Sequence, residues 1–175
     1  MALLPLLAVL VQTLNGASLD ALAAPAGTRA IVYVFTSTDC PVSNRYAPEI
    51  RRIDQAFSTR GALLRLVYPS PHESHAAIRE HMSQFALSDL QAVRDPDLAL
   101  VKFVGATITP EAAVIVAGKV VYRGRIDDRY VDLGLERPAP TTYDLSEALE
   151  AALAGRPVPH PVTQAVGCYI ADLTR

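Results

Sequence analysis

The chain has 175 residues, half of them hydrophobic, and a formal net charge of -2 with no run of lysine or arginine. That length suits one domain with a sizeable core, and the charge offers no footprint for a phosphate backbone, which excludes nucleic acid as a partner. Two cysteines are too few for a disulfide scaffold and lack zinc-ligand spacing, leaving a single redox pair as the economical reading.

Residues 1–11 form an apolar run too short to span a bilayer, which needs about 20 such residues. The run lacks a basic n-region, so it reads either as a secretory leader or as a first strand before the turn at Asn15-Gly16. No transmembrane segment is expected. Residues 30–35 are continuously apolar with β-branched and aromatic side chains, as in a strand covered on both faces. A helix follows at once: Tyr46, Ile50, Ile53 and Phe57 make one stripe, and Pro41 sits in the first turn, where its missing N–H costs nothing. Cys40 is therefore the helix N-cap, and Pro48 predicts a kink. A thiolate at that position receives unpaired backbone N–H groups, which lowers its pKa.

Residues 62–67 predict a parallel strand reached by a right-handed crossover, ended by Pro69 and Pro71. Helical spacing of Ile78, Met82 and Phe85 predicts a helix within 72–85, and Asp95-Pro96 opens a short helix through Val101. Residues 112–116 and 120–123 flank Ala117-Gly118-Lys119 as an antiparallel hairpin. Residues 131–140 read as a long loop. Thr141 to Asp144 resemble a capping start for a last helix carrying Leu145, Leu149, Ala152 and Leu153, stopped by Gly155 and Pro157. The aromatics Tyr33, Phe35, Phe57, Phe85 and Phe103 are assigned to the core. The organisation is thus a leader or first strand at 1–11, a folded body at 12–155 and a Pro-rich tail at 156–175 carrying Cys168.

Strand, Cys-Pro and helix, followed by Thr109-Pro110 and a hairpin, resemble the thioredoxin fold: an α/β architecture with a central mixed sheet flanked by helices, here with an extended C-terminal tail. More narrowly, the runs Asp39 to Glu49, Tyr122 to Tyr130 and Gly167 to Ile170 resemble the peroxiredoxin-like branch of the alkyl hydroperoxide reductase and thiol-specific antioxidant superfamily. The resemblance implies a redoxin in which Cys40 reduces a peroxide or exchanges with a protein disulfide, needing no cofactor and no metal. It also implies an external thiol reductant and an extracytoplasmic location in preference to a cytoplasmic one.

Ser43 stands where the thioredoxin-type pair has its second cysteine, so the resemblance implies resolution by Cys168 or by an external thiol, an inert tail thiol being the alternative. The 13 residues from Gly155 to Cys168 reach about 40 Å at about 3.1 Å each, comparable with the diameter of the body. Asp39 opposes ionisation of Cys40 by like charge; Arg45 either offsets it or is a solvated surface side chain. The resemblance places Pro110 in a cis-proline loop with Thr109 facing the cysteine. Ser37, Arg45 and Arg125 are the candidate donors to a peroxide's leaving oxygen. Tyr33 occupies the position of the peroxiredoxin proline, and Val34 that of the thioredoxin buried acid. Two further alternatives are a copper(I) carrier using both thiols with one of His72, His75, His81 or His160, and a redox-inert binding module. His72 and His75 otherwise read as first-turn polar residues, His81 as half-exposed, and Asp127-Asp128-Arg129-Tyr130 as a salt-bridged loop.

Overall fold

The computed structural model describes residues 8–171, so most of the leader reading falls outside the described residues. Among them the strands are β1 (Leu10–Thr13), β2 (Ser18–Asp20), β3 (Ala30–Phe35), β4 (Ala62–Tyr68), β5 (Gln91–Arg94), β6 (Ile108–Thr109), β7 (Glu111–Val116), β8 (Lys119–Gly124), β9 (Tyr130–Asp132), β10 (Leu135–Glu136) and β11 (Cys168–Tyr169). The helices are α1 (Pro41–Arg45), α2 (Ala47–Phe57), α3 (His75–Gln84), α4 (Ala99–Val104) and α5 (Asp144–Leu153). Seven strands form one mixed sheet in the order β2-β1-β5-β4-β3-β7-β8, parallel at β3/β4 and β4/β5 and antiparallel elsewhere. No helix among the described residues is long and apolar enough to cross a membrane.

The centre of the sheet follows from its sequence. All six residues of β3 are buried, because β4 and β7 flank it and helices cover both faces. Val32, Val34, Leu64 and Leu66 face the core shared with α2, α3 and α5, while Ile31, Tyr33, Phe35 and Val67 face α4 and the N-terminal hairpin. Arg65, in the middle of β4, is buried without being orphaned: it donates to Gln91 Oε1 at 2.9 Å and to the Tyr33 hydroxyl at 3.3 Å.

Several expectations are corrected. The helix after Cys40 does break, but at Tyr46, two residues before Pro48: Tyr46 N–H turns back to Ser43 O, and α2 restarts with Pro48 in its first turn. The polar segment Gln91–Arg94 is a strand, and the expected loop at 131–140 contains the β9–β10 hairpin. The short helix starts later than expected, at Ala99, because the buried Asp95 carboxylate accepts the Ala99 and Val101 N–H groups at 2.8 Å each. Helix α5 has no side-chain cap; Asp144 instead pairs with Arg125. Phe103 is 40 % exposed, since α4 turns Leu100, Val101 and Val104 inward and leaves 103 outside.

The tail is docked, not free. Arg123 N–H donates to Pro161 O and Thr163 N–H to Arg123 O, so residues 161–163 run along β8. The Thr163 hydroxyl meets that of Tyr122 at 2.7 Å and accepts the Arg125 N–H at 3.1 Å. Gly124 is required here: its φ is +152°, and a Cβ on it would come within 2.4 Å of Thr163 O. The chain then crosses to β6, where β11 pairs antiparallel with Cys168 opposite Thr109. A Cβ on Gly167 would lie 2.1 Å from Thr109 O, so only glycine permits this approach.

Leu66 is fully buried in the central strand. Leu66→Ala should lower unfolding free energy by about 2–5 kcal/mol, read as an earlier midpoint in urea with an unchanged slope.

Candidate active site

Cys40 ends the loop after β3 in extended backbone (φ −85°, ψ 109°), with Pro41 opening α1. It is 1 % exposed. The Thr109-Pro110 peptide is cis, which turns the Thr109 carbonyl toward the cysteine: Cys40 Sγ lies 3.1 Å from Thr109 O. Docking of β11 against the same residue sets Cys168 Sγ 2.7 Å from Cys40 Sγ, both as free thiols. Thr109 thus orients both sulfurs, through its carbonyl to one and its backbone pairing to the other.

The two thiols are pushed in opposite directions. Burial alone would raise the Cys40 pKa, but hydrogen bonds from Cys168, from the side chain and backbone of Ser43, and from the Thr109 side chain outweigh it, so the net shift is downward. Ser43 is buried, and its hydroxyl makes no well-formed hydrogen bond. Burial pushes Cys168 up to about 12, reinforced by its hydrogen bond to Cys40, the charge of Cys40 and that of Asp39. Asp39 therefore acts on the tail thiol, where the sequence assigned its repulsion to Cys40.

The loop before Cys40 is held from behind by residues that sequence reasoning missed. Thr38 N–H donates to Glu73 Oε1 at 2.6 Å, with Ser37 Oγ 3.4 Å from the same oxygen, and Ser37 also donates to Asp39. Asn44, one turn beyond Cys40, places its Oδ1 2.7 Å from His81 Nε2, while His81 Nδ1 lies 2.9 Å from the Tyr68 hydroxyl. His81 is buried, not half-exposed, because both ring nitrogens find partners; burial lowers its pKa. The tautomer that satisfies this chain carries its proton on Nε2 and accepts from Tyr68. Asn44 four residues after the cysteine was a readable signal; Glu73, 35 residues from Thr38, was not.

Other expected residues lie elsewhere. Arg45 is exposed and ion-paired with Glu136 at 2.6 Å. Arg125 donates to Asp144 at 2.8 Å. The segment 127–130 is not salt-bridged within itself: Asp127 accepts from the Tyr46 hydroxyl at 2.5 Å and the Arg129 N–H at 2.9 Å, and Asp128 pairs with Arg137 at 3.3 Å. His72 precedes α3 without joining it, and His75 Nε2 faces Arg94. Among the described residues, no group of three or more His, Cys, Asp or Glu side chains is arranged to hold a metal ion, so the copper reading finds no third ligand beside the thiols.

No family model matches the chain, and no curated protein matches it. Solved structures do. An uncharacterized conserved protein from Geobacillus kaustophilus aligns with a TM-score of 0.76 at 22% identity, covering 93% of this chain and 87% of that one. A hypothetical protein from Sinorhizobium meliloti aligns at 0.72 and 18% identity, covering 92% and 88%. A secreted Mycobacterium tuberculosis disulfide oxidoreductase homologous to E. coli DsbE aligns at 0.56 and 19% identity, covering 81% and 94%. The fold is thioredoxin-like.

The opposite shifts predict two separate titrations in thiolate absorbance at 240 nm, one shifted down from that of an ordinary cysteine and one near 12. Cys168→Ala, which removes the donor, should move the first upward. For stability the signs differ. The depressed Cys40 contributes stability that is present above its unfolded pKa and is lost as pH falls through its folded one. The raised Cys168 contributes stability present below about 8.5 and lost as pH climbs toward about 12.

Proposed function

We propose that this chain is a thiol-disulfide oxidoreductase whose redox couple is Cys40 with Cys168, the tail thiol standing in for the second cysteine of a Cys-x-x-Cys pair. The observation that carries it is the 2.7 Å approach of the two sulfurs across the cis Thr109-Pro110 peptide. Closing the pair transfers two electrons: the two thiols and a partner disulfide R–S–S–R become the Cys40–Cys168 disulfide and two R–SH, and an external thiol reductant reopens the protein disulfide. An extracytoplasmic setting, where disulfides persist, suits this chemistry, and one structurally similar protein is a secreted disulfide oxidoreductase.

Peroxiredoxin-like peroxide reduction uses the same thiolate but needs donors for the departing oxygen. Ser37 donates to Asp39, Arg45 to Glu136 and Arg125 to Asp144, so each donor offered by the sequence is already engaged. That favours exchange over peroxide.

Fully reduced protein given one equivalent of hydroxyethyl disulfide, or separately of hydrogen peroxide, and mapped by non-reducing peptide mass analysis should form the Cys40–Cys168 disulfide much faster with the disulfide. Thiols that resist hydroxyethyl disulfide but are oxidised by peroxide within seconds would instead establish a peroxidase. The bond would close a loop spanning 128 positions, and in the chain-entropy model the oxidised protein should be more stable to urea by up to about 5 kcal/mol. Gly167→Ala, by forcing the tail off Thr109, should slow disulfide formation at least tenfold while leaving the circular dichroism of the body unchanged.

A further inference from the structure

The two sulfurs do not meet the outside equally. A surface cavity of about 240 Å³ opens beside the tail, walled by Ser37, Asp39, Ser70, Thr109, Cys168 and Tyr169 among others. Cys168 forms part of that wall and is partly exposed, whereas Cys40 takes no part in it and is 1 % exposed, roofed by Cys168 and the Thr109 carbonyl. Tyr169, 81 % exposed, stands at the rim. The cavity has room for a small thiol or for a cysteine side chain with its backbone.

We propose that an external thiol enters this cavity and joins Cys168, not Cys40, and that the Asp39 carboxylate makes the cavity select cationic and neutral thiols over anionic ones. The inference rests on the Cys40–Cys168 couple proposed above and deepens it. The electrons balance as follows. A thiolate RS⁻ attacks Cys168 Sγ in the disulfide form; the new bond is R–S–Sγ168, the Sγ40–Sγ168 bond breaks, and Cys40 leaves as a thiolate. A second RS⁻ attacks the sulfur of the bound R group, releasing R–S–S–R and Cys168, which takes up a proton. Two thiols are oxidised and one protein disulfide is reduced.

Two features of the site favour this direction. The sulfur with the lower pKa leaves faster, and it is Cys40 that is lowered while Cys168 is pushed up. Asp39 is exposed in the cavity wall, and among the described residues no cationic side chain lines the cavity with it. Opposite unit charges about 4 Å apart in water attract by about 1 kcal/mol, and like charges repel by as much. Cationic and anionic thiols should therefore differ by roughly thirtyfold at low ionic strength, narrowing as salt rises.

The test uses the full chain in its disulfide form. It is exposed for seconds to cysteamine, 2-mercaptoethanol or mercaptoethanesulfonate, quenched with acid, alkylated and mapped by mass. The expected result is the adduct on Cys168 and the alkyl group on Cys40. The reverse pattern overturns the proposal. Rates normalised to each thiol's reaction with a free small disulfide should fall from cysteamine to mercaptoethanesulfonate by roughly thirtyfold, and Asp39→Asn should flatten the series. An unchanged series in Asp39→Asn overturns the selectivity. If the Cys40–Cys168 disulfide never forms, this is seen before any thiol is added and sinks the underlying couple instead, so the two failures are told apart.

Discussion

Two close approaches of backbone to backbone hold the site together: Thr163 against Gly124, and Gly167 against Thr109. Neither admits a side chain. They fix the tail at two points along its path, one on the edge of the main sheet and one on the short strand β6, so that Cys168 arrives over Cys40 without depending on the flexibility of a free segment. The stiffness of the proline-rich stretch helps, because little conformational entropy remains to be lost when it docks. The approach of the two sulfurs is thus set by backbone geometry, at the sheet edge and beside the sulfurs themselves.

At the sulfurs the governing quantity is an asymmetry of surroundings. Hydrogen bonding lowers the pKa of Cys40 against the effect of its burial, while burial and the nearby Asp39 raise that of Cys168, so the two thiols ionise in separate steps. A second layer keeps this arrangement rigid: Glu73 holds the Thr38 N–H, and the Tyr68, His81 and Asn44 chain ties α3 and β4 to the first turn of α1.

What could be read from the sequence was whatever is local. An apolar run marked β3, a Cys-Pro junction marked the N-cap, and the small residues around Gly118 marked the β7–β8 turn, because each signal lies within a few residues of the structure it specifies. The fold class followed from the order of those signals. Missed features rest on partners distant in the chain. Gln91–Arg94 has only one fully buried side chain, so it carries no strand pattern, although it sits between β4 and β1. His81 gave no sign of burial because its partners lie 13 and 37 positions away. Phe103 misled in the other direction: hydrophobicity alone cannot say which side of a helix faces the sheet. Asp39 and Arg45 are close to the cysteine in sequence, but which thiol Asp39 acts on depends on the tail, and Arg45 is taken up by Glu136, 91 positions away.

The path of the tail along β8 also bears on how the molecule ends its sheet. β8 is the last strand on its side, and an uncovered last strand offers its N–H and C=O groups to any other chain. Residues 161–163 occupy part of that row, and Pro159 and Pro161 have no N–H with which to extend the pattern outward. The same segment that delivers a thiol to the site therefore caps the sheet against growth. Lifting it would expose unpaired edges at β6 and β8 together, so the chain's reactivity and its resistance to self-association hang on a single strap.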